Sequence, residues 1–495
     1  MTIHTPHIDW FALSTILVLL AASFVSLLGA VLVPAPRRRT FSAIVSKLGF
    51  LGGLVTSIWL YVDSPHGEAV VSGAFYRDRW TALAQIILCG VGLATTLLSW
   101  EHALPQRGGR NDDHIAEFFA LLLASAAGMA FFVGAGNLMV LFLSLEWFSI
   151  ALYVMCAIDY DVEGSLEAGL KYLIVGSFGS AALLFGSALV YGATGTISFS
   201  GIATAIGAHG LSGDALLVVG IALLVAGLGF KMSAAPFHMW TPDVYEGAPT
   251  PVTAWMSAAT KVAALVLAMR LMQTAFPLER HLWSVAFAVI AVASLVIGNL
   301  TALVQTNVKR MLAYSSISHA GFMLIGLSAG TALGGRAVMY YLIPYSAMAF
   351  GSFAVVAARE RELGKPVTLE NLAGFGWERP FLGVAMWLFM FGFAGLPVGG
   401  GFVGKFYVFA AAYDAGRAWL VVVGVLATLV SLYYYLGVVR AMYMRGPQLA
   451  LAGGSPPRDR FLHVAVGMAL VVSVGSLFAV APLIDLARNA ASAVF

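Results

Sequence analysis

Fourteen apolar runs dominate the chain. Polar breaks place them at about 10–34, 41–62, 80–100, 115–135, 137–158, 165–191, 215–240, 250–275, 282–304, 309–330, 333–358, 380–413, 417–444 and 461–486. About 20 apolar residues are needed to cross the ~30 Å hydrocarbon layer of a bilayer as a helix. The runs are too long and too continuously apolar for the ten-residue alternation of barrel strands. Backbone polar groups must be satisfied inside the segment itself, so the expected fold is an all-α polytopic membrane protein with about 14 transmembrane helices. The fourth and fifth runs almost touch at Gly134, Gly136 and Asn137, which predicts a tight helical hairpin.

Two runs carry their own interruptions. The seventh contains GLGFKMSAAPFHMW (227–240), with Pro236 five residues after Lys231, and the twelfth contains GLPVGGGFVGKF (395–406), with Pro397, three glycines and Lys405. Proline removes a helical hydrogen bond and clashes with the preceding turn, so both helices should break there. At membrane depth an unwound backbone survives only where it is buried in protein or lines a hydrated cavity. The breaks lie five spans apart. This predicts two inverted five-helix repeats, 115–275 with its break near Pro236 and 282–445 with its break near Pro397, because an odd number of crossings turns the second unit upside down. A three-helix segment (1–114) precedes them and a C-terminal helix (446–495) follows. Pro344, in the eleventh run, belongs to neither break.

Composition narrows the function. Of 495 residues, 60% are apolar and 10% charged, the latter about half of what a soluble domain carries. Mean hydropathy is +0.89. A soluble core, a disordered chain, a disulfide scaffold and a nucleic-acid binder are all excluded. Cys89 and Cys156 lie in apolar runs without metal-binding spacing, and no dinucleotide fingerprint or phosphate loop occurs. No metal and no cofactor is therefore expected in this chain. No Lys or Arg precedes the first run, so it lacks the cationic start of a cleavable leader. Basic residues number fifteen in the odd-numbered loops and five in the even-numbered ones. By the positive-inside rule the odd loops face the cytoplasm and both termini lie on the outer side.

The chemistry sits in the spans. Lys171, Lys231, Lys261 and Lys405 fall inside runs, with Glu146 as the one acid among them. Each deep charge costs about 2.5–3.5 kcal/mol or more unless it is paired or put to work. A desolvated ammonium can shed its proton near neutral pH and a guanidinium cannot, so lysines without arginines suit a proton relay. Lys47 and Arg270 lie near run ends, from where they can snorkel. His238 follows the first break and His319 lies within YSSISHAG (314–321). Imidazole can pass protons either way, although a lone buried histidine is more often a bonded core residue, so both are weaker candidates. Gly176, Gly179 and Ser180 read as close helix packing.

LFLSLEWFSIALYV (141–154), EAGLKYLIVGSFGS (167–180), FKMSAAPFHMWTPDVYEGAPTPV (230–252), VQTNVKRMLAYSSISHAGF (304–322) and GFVGKFYVF (401–409) resemble the antiporter-like membrane subunits of respiratory complex I, nearest to their N type. The resemblance covers about residues 115 to 445. It implies a proton-translocating module of NADH–quinone oxidoreductase whose charged residues follow the membrane midplane. It makes Glu146 the acid of the fifth helix, Lys171 the base beside it and Lys231 the lysine of the first broken helix. It likewise makes Lys261 the connecting lysine of the eighth helix and Lys405 the lysine of the second broken helix. Glu146 is then expected to pair with Lys171 or Lys231. NADH, FMN, iron–sulfur clusters and quinone are expected in partner subunits, with sister antiporter-like subunits and lipids as neighbours, in a bacterial inner membrane. The sequence departs from the family in PVGGGF (397–402), where two prolines are usual; the extra glycine loosens that break. A subunit of a cation/proton antiporter is the alternative.

Overall fold

The computed structural model describes residues 8–64, 67–101, 114–446 and 459–495. Residues 1–7 and the loop arginines Arg107, Arg110 and Arg458 lie outside the described residues. The chain begins with α1 (Ser14–Leu32) and α2 (Ala35–Asp63), a hairpin β1 (Glu68–Val70) and β2 (Phe75–Arg77), and α3 (Arg79–Leu98). Next come α4 (Ile115–Phe132), α5 (Leu138–Cys156), α6 (Glu163–Thr194), α7 (Phe199–His209), α8 (Ala215–Lys231), α9 (Trp240–Gly247) and α10 (Thr250–Ala275). The second half holds α11 (Arg280–Ala302), α12 (Val308–Ala329), α13 (Ala332–Leu363), α14 (Phe375–Glu378), α15 (Pro380–Ala394), α16 (Gly400–Asp414) and α17 (Ala418–Met444). It ends with α18 (Arg460–Phe478) and α19 (Val480–Ala491).

Among the described residues 12 helices are long and apolar enough to cross a membrane. The broken pairs α8/α9 and α15/α16 supply two further crossings, at the seventh and twelfth places. α13 runs unbroken through Pro344. The central helices hide almost everything they carry, α10 being buried along its full apolar window and α12 and α13 nearly so. Outer helices such as α1, α6 and α17 leave much of their apolar surface exposed.

Two short pieces of backbone show the inversion. Leu138 N–H donates to the Ile197 carbonyl and Phe199 N–H to Gly136, each at 3.0 Å; Val308 N–H donates to Val367 and Leu369 N–H to Thr306, again at 3.0 Å. Every residue of the second set is the first set shifted by 170. Asn137 and Asn307 each cap the helix that follows, accepting at 2.7 Å from Val140 N–H and at 2.9 Å from Lys309 N–H. The first of these clasps lies at the opposite end of α5 from the α5–α6 loop, whereas the second lies beside that loop's face, in the cleft described below. One device recurs on opposite faces of the protein.

Glycine allows the closest contacts. A Cβ at Gly227 would come within 2.9 Å of the Gly179 carbonyl, and one at Gly186 within 2.8 Å of the Gly220 carbonyl, which draws α6 and α8 together. Gly179 thus has the packing role expected of it.

The structure departs from the sequence reading in four places. The β1–β2 hairpin and α7 fill connections that hydropathy leaves blank. The last run divides at Ala479 into α18 and a separate amphipathic α19, which buries Ile484, Ala487 and Ala490 and exposes Asp485 and Arg488. Pro482 lacks the N–H that would have continued the α18 ladder. Arg270 does not snorkel. Its side chain is 1% exposed and its guanidinium grips Asp78, the cap of α3, at 2.7 and 2.9 Å, with Thr81 Oγ1 at 2.9 Å. A deep arginine exists after all, but its two terminal nitrogens are paired.

Breaking a buried pair leaves a bare charge and is far more costly than replacing both partners. Asp78→Asn should lower stability by about 3–5 kcal/mol, and adding Arg270→Met should restore most of that loss. Thermal melting of the detergent-purified protein reads both changes.

Candidate functional site

Lys231 is the last residue of α8. Because the helix stops there, its ammonium meets side chains from α5 and α6 instead of its own next turn. The side chain is buried and donates to Ser149 Oγ at 2.7 Å. Four aromatic faces surround Nζ, those of Phe148, Tyr172 and Phe230 at 5.3 Å and Tyr153 at 5.6 Å from the ring centroids. Such faces attract cations most strongly where water is excluded. Glu146 lies one turn before Ser149 on α5 and acts on Lys231 through its charge, but Nζ bonds Ser149 and Glu146 Oε1 has no hydrogen-bond partner in the protein.

Lys171 behaves differently from its expected role. It does not pair with Glu146 and is no deep charge: its side chain is 42% exposed, with Nζ 2.6 Å from Glu167 and 2.7 Å from Asp243. The α6 helix starts at Glu163, so position 171 is still near its end. Asp243, on α9, also binds Arg310 of α12 at 2.6 Å, and Arg310 binds Glu246 at 2.8 Å. Lys309 reaches the Ala248 carbonyl at 2.9 Å. These groups line a cleft of 1210 Å³, which Glu360, Arg361 and Arg379 also border. Burial by itself would raise the Asp243 pKa, but the hydrogen bonds and charges of Lys171 and Arg310 outweigh it and hold the carboxyl below the usual range.

Two buried lysines, one from each repeat, and a histidine form a second group. Lys261 projects from the wholly buried α10, and its Nζ has no hydrogen-bond partner among the described residues; the Tyr245 ring centroid lies 5.9 Å away. Lys405 lies on α16, just past the second break. Its Nζ is 3.4 Å from the Ala394 carbonyl and 4.3 Å from the Phe322 ring centroid. Ala394 ends α15, so its carbonyl is free to turn to the lysine. Gly395 makes this approach possible: its φ is +80°, and a Cβ there would come within 2.9 Å of Lys405 Cδ. The extra glycines do not leave the break loose, because Gly399 and Gly401 pack against α18 and α15. His319 is buried, with Nδ1 2.9 Å from Tyr341 Oη and Nε2 3.0 Å from Tyr435 Oη. The charges of Lys405 and Lys261 both reach its ring. His238 is half-buried in the first break, with Nδ1 unbonded in the protein.

Thus Glu146 and Lys231 come together, Lys261, His319 and Lys405 form a second group, and Lys171 belongs to the cleft. Sequence reading passed over Asp243 and Arg310, which look like ordinary interfacial charges until the fold joins them. It also passed over Tyr341 and Tyr435, whose only signal was a polar tip within an apolar run.

A polytopic helical bundle with inverted repeats, two broken helices and amines buried beside the breaks is the architecture of an ion-translocating membrane protein. Residues 135–431 match the transmembrane family described as "NADH:quinone oxidoreductase/Mrp antiporter, TM", and the chain belongs to that family. It is 40% identical over 456 residues to NADH-quinone oxidoreductase subunit N of Trichlorobacter lovleyi, covering 91% of this chain and 90% of that protein. A chain of respiratory complex I from Thermus thermophilus superposes with a TM-score of 0.78 at 32% identity, covering 96% of this chain and 99% of that one. A chain of the Mrp complex from Dietzia has a TM-score of 0.84 at 20% identity, covering 98% and 97%, and shares the fold.

Asp243 is the counter-charge for two cations on different helices, whereas Glu167 serves only the exposed Lys171. Asp243→Asn should therefore lower the melting temperature more than Glu167→Gln. A carboxyl held below its ordinary value stabilises the fold above about pH 4 and loses that effect as pH falls further. The melting-temperature gap between wild type and Asp243→Asn should stay constant from neutral pH down to about pH 5 and close below about pH 4.

Proposed function

We propose that this chain is the subunit N type of proton-translocating module in the membrane arm of a bacterial NADH:quinone oxidoreductase, with no redox centre of its own. The single observation that carries this reading is the row of buried amines. Lys231, Lys261 and Lys405 are each at most 4% exposed, and none has a carboxylate oxygen within hydrogen-bond distance. A structural ammonium would have such a partner, whereas a group that alternates between charged and neutral forms must do without a permanent one. The naming of its relatives and the Thermus match support the same assignment.

In this reading Glu146 and Lys231 form the loading pair. When Glu146 turns towards Lys231 it favours the ammonium; when it turns away the amine is left to burial and the faces of four rings, and its proton moves on. Lys261 connects the repeats, and His319 and Lys405 pass the proton towards the opposite face. Their sites are coupled and titrate as a group. Lys171 serves at the cleft, by fixing Asp243 on the second half of the broken helix. The cleft gathers the arginine-rich odd loops, so it faces the cytoplasm and the termini lie outside. The inverted repeats correspond to residues 115–275 and 282–445. Sister subunits and lipid cover the exposed apolar flanks, and partner chains holding NADH, FMN, iron–sulfur clusters and quinone supply the driving reaction.

Lys231→Arg keeps the positive charge but cannot deprotonate. In inverted membrane vesicles carrying the whole complex, Lys231→Arg and Lys231→Ala should both reduce NADH-driven proton uptake to under about a tenth of wild type, as loss of a relay group does. Full pumping by Lys231→Arg would exclude the relay. A requirement for sodium would favour a cation/proton antiporter.

A further inference from the structure

Beneath the cleft lies a second, largely apolar space that the relay does not use. It is a cavity of 10 Å³, about the room of one water molecule, bordered by the hydroxyl-bearing residues Ser257, Ser315, Ser316, Tyr345 and Ser352. Its depth is set identically by three helices. Ser257 is seven residues past Thr250 on α10, Ser315 five past Arg310 on α12, and Ser352 eight before Glu360 on α13, and all three reference residues border the cleft. At 1.5 Å per residue the cavity lies roughly 8–12 Å below the cleft. Hydroxyls in so apolar a place need partners. Ser316 Oγ and Tyr345 Oη are 3.0 Å apart, and Tyr345 Oη donates to the Ser257 carbonyl at 3.2 Å.

From this cavity a chain of exchangeable protons leads to His319. Ser315 Oγ is 2.5 Å from Tyr435 Oη, and Tyr435 Oη is 3.0 Å from His319 Nε2. On the other side of the ring Nδ1 meets Tyr341 Oη, and the Tyr341 ring packs on Gly404, next to Lys405. A hydroxyl both donates and accepts, so two tyrosines can serve either neutral tautomer and the imidazolium. A fixed structural histidine needs one donor and one acceptor.

We propose that Tyr435 is the proton-carrying hydroxyl between His319 and this cavity, so that the imidazole is loaded from the cleft face through Ser315 and Tyr435 without passing Lys231. The step begins from the Nδ1–H tautomer. A proton arriving from the cleft makes a hydronium ion in the cavity, which gives a proton to Ser315 Oγ and is left as water; the Ser315 proton passes to Tyr435 Oη, and the Tyr435 proton passes to Nε2. Each hydroxyl forms one O–H bond as it breaks another, and the ring becomes imidazolium. It then loses the Nδ1 proton to Tyr341 Oη, whose own proton leaves towards Lys405. One proton has entered and one has left. The ring is neutral in the Nε2–H form.

This inference rests on the relay proposed above, and the test separates the two. Tyr435→Phe keeps the ring, which stacks on Phe393 at 5.7 Å, and removes only the hydroxyl. Ser315→Ala interrupts the same route with a smaller change and serves if Tyr435→Phe fails to assemble. Both go into vesicles of the complete complex, with Lys231→Ala as reference and NADH–ferricyanide reduction as the measure of assembly. The expected result is a proton-pumping rate at least fivefold below wild type at pH 8, recovering towards wild type as the cleft-side pH is lowered to 6. Scarce protons slow a supply route, whereas structural damage would not recover with acid. Wild-type pumping by both assembled variants, or a deficit that does not vary with pH, overturns the route through Tyr435. If Lys231→Ala also pumps normally, the relay itself is wrong.

Discussion

An ammonium group carried into hydrocarbon must be met by something polar or give up its proton, and the architecture of this chain is organised around that constraint. The three buried lysines meet it in three ways. Lys231 has one hydroxyl and four aromatic faces. Lys405 has a carbonyl that a helix end has released and one ring. Lys261 has a single ring and no hydrogen-bond partner among the described residues. Arg270 shows what the fold does with a buried cation that only holds helices together: it receives a carboxylate with two bonds and a threonine hydroxyl. Such pairing lay within reach for the lysines, and they do not have it.

The broken helices follow from the same constraint. A continuous helix satisfies its own backbone and offers a buried amine nothing, whereas a helix that stops at mid-depth frees carbonyls and N–H groups and separates its flanking turns. Lys231 ends one half-helix and Lys405 begins near the start of another, so each amine lies at an interruption. Glycine then sets how closely the chain approaches it. Gly395 gives way to the Lys405 stem, and the small residues between α6 and α8 bring Tyr172 near Lys231.

Much of this was legible in the sequence, because crossing a bilayer imposes length and apolarity on nearly every span and because Pro236 and Pro397 mark the breaks in plain letters. The tight turn at Gly134–Asn137 and the family motifs held as well. What was illegible depended on the third dimension. Lys171, only about two turns inside its run, reads as close to the interface, where it lies, but nothing local tells that Asp243 will come to it from 72 residues away. Arg270 reads as a snorkelling side chain, and nothing local tells that Asp78, 192 residues earlier, will meet it. The α18–α19 division turned on one proline inside a run whose hydropathy hardly changes. The hydroxyls of Tyr341 and Tyr435 gave no pattern, since tyrosine in an apolar span reads equally well as packing.

The 170-residue shift between the repeats explains why the halves carry different chemistry. Applied to Ser149, which receives the Lys231 ammonium, it falls on His319; applied to Glu146 it falls on Ser316, and applied to Lys171 on Tyr341. The first repeat therefore places an acid and an amine where the second places a serine and a tyrosine, and a serine where the second places a histidine. An inverted pair of identical units would have equal preference for a proton at both ends and would store it symmetrically. Each half keeps a buried lysine, Lys231 in the first and Lys405 in the second, but its companions differ: Glu146 and Ser149 in one, His319 and Tyr341 in the other. Unlike companions of that kind make the two halves of the proposed relay chemically distinct on backbones that the repeat otherwise relates.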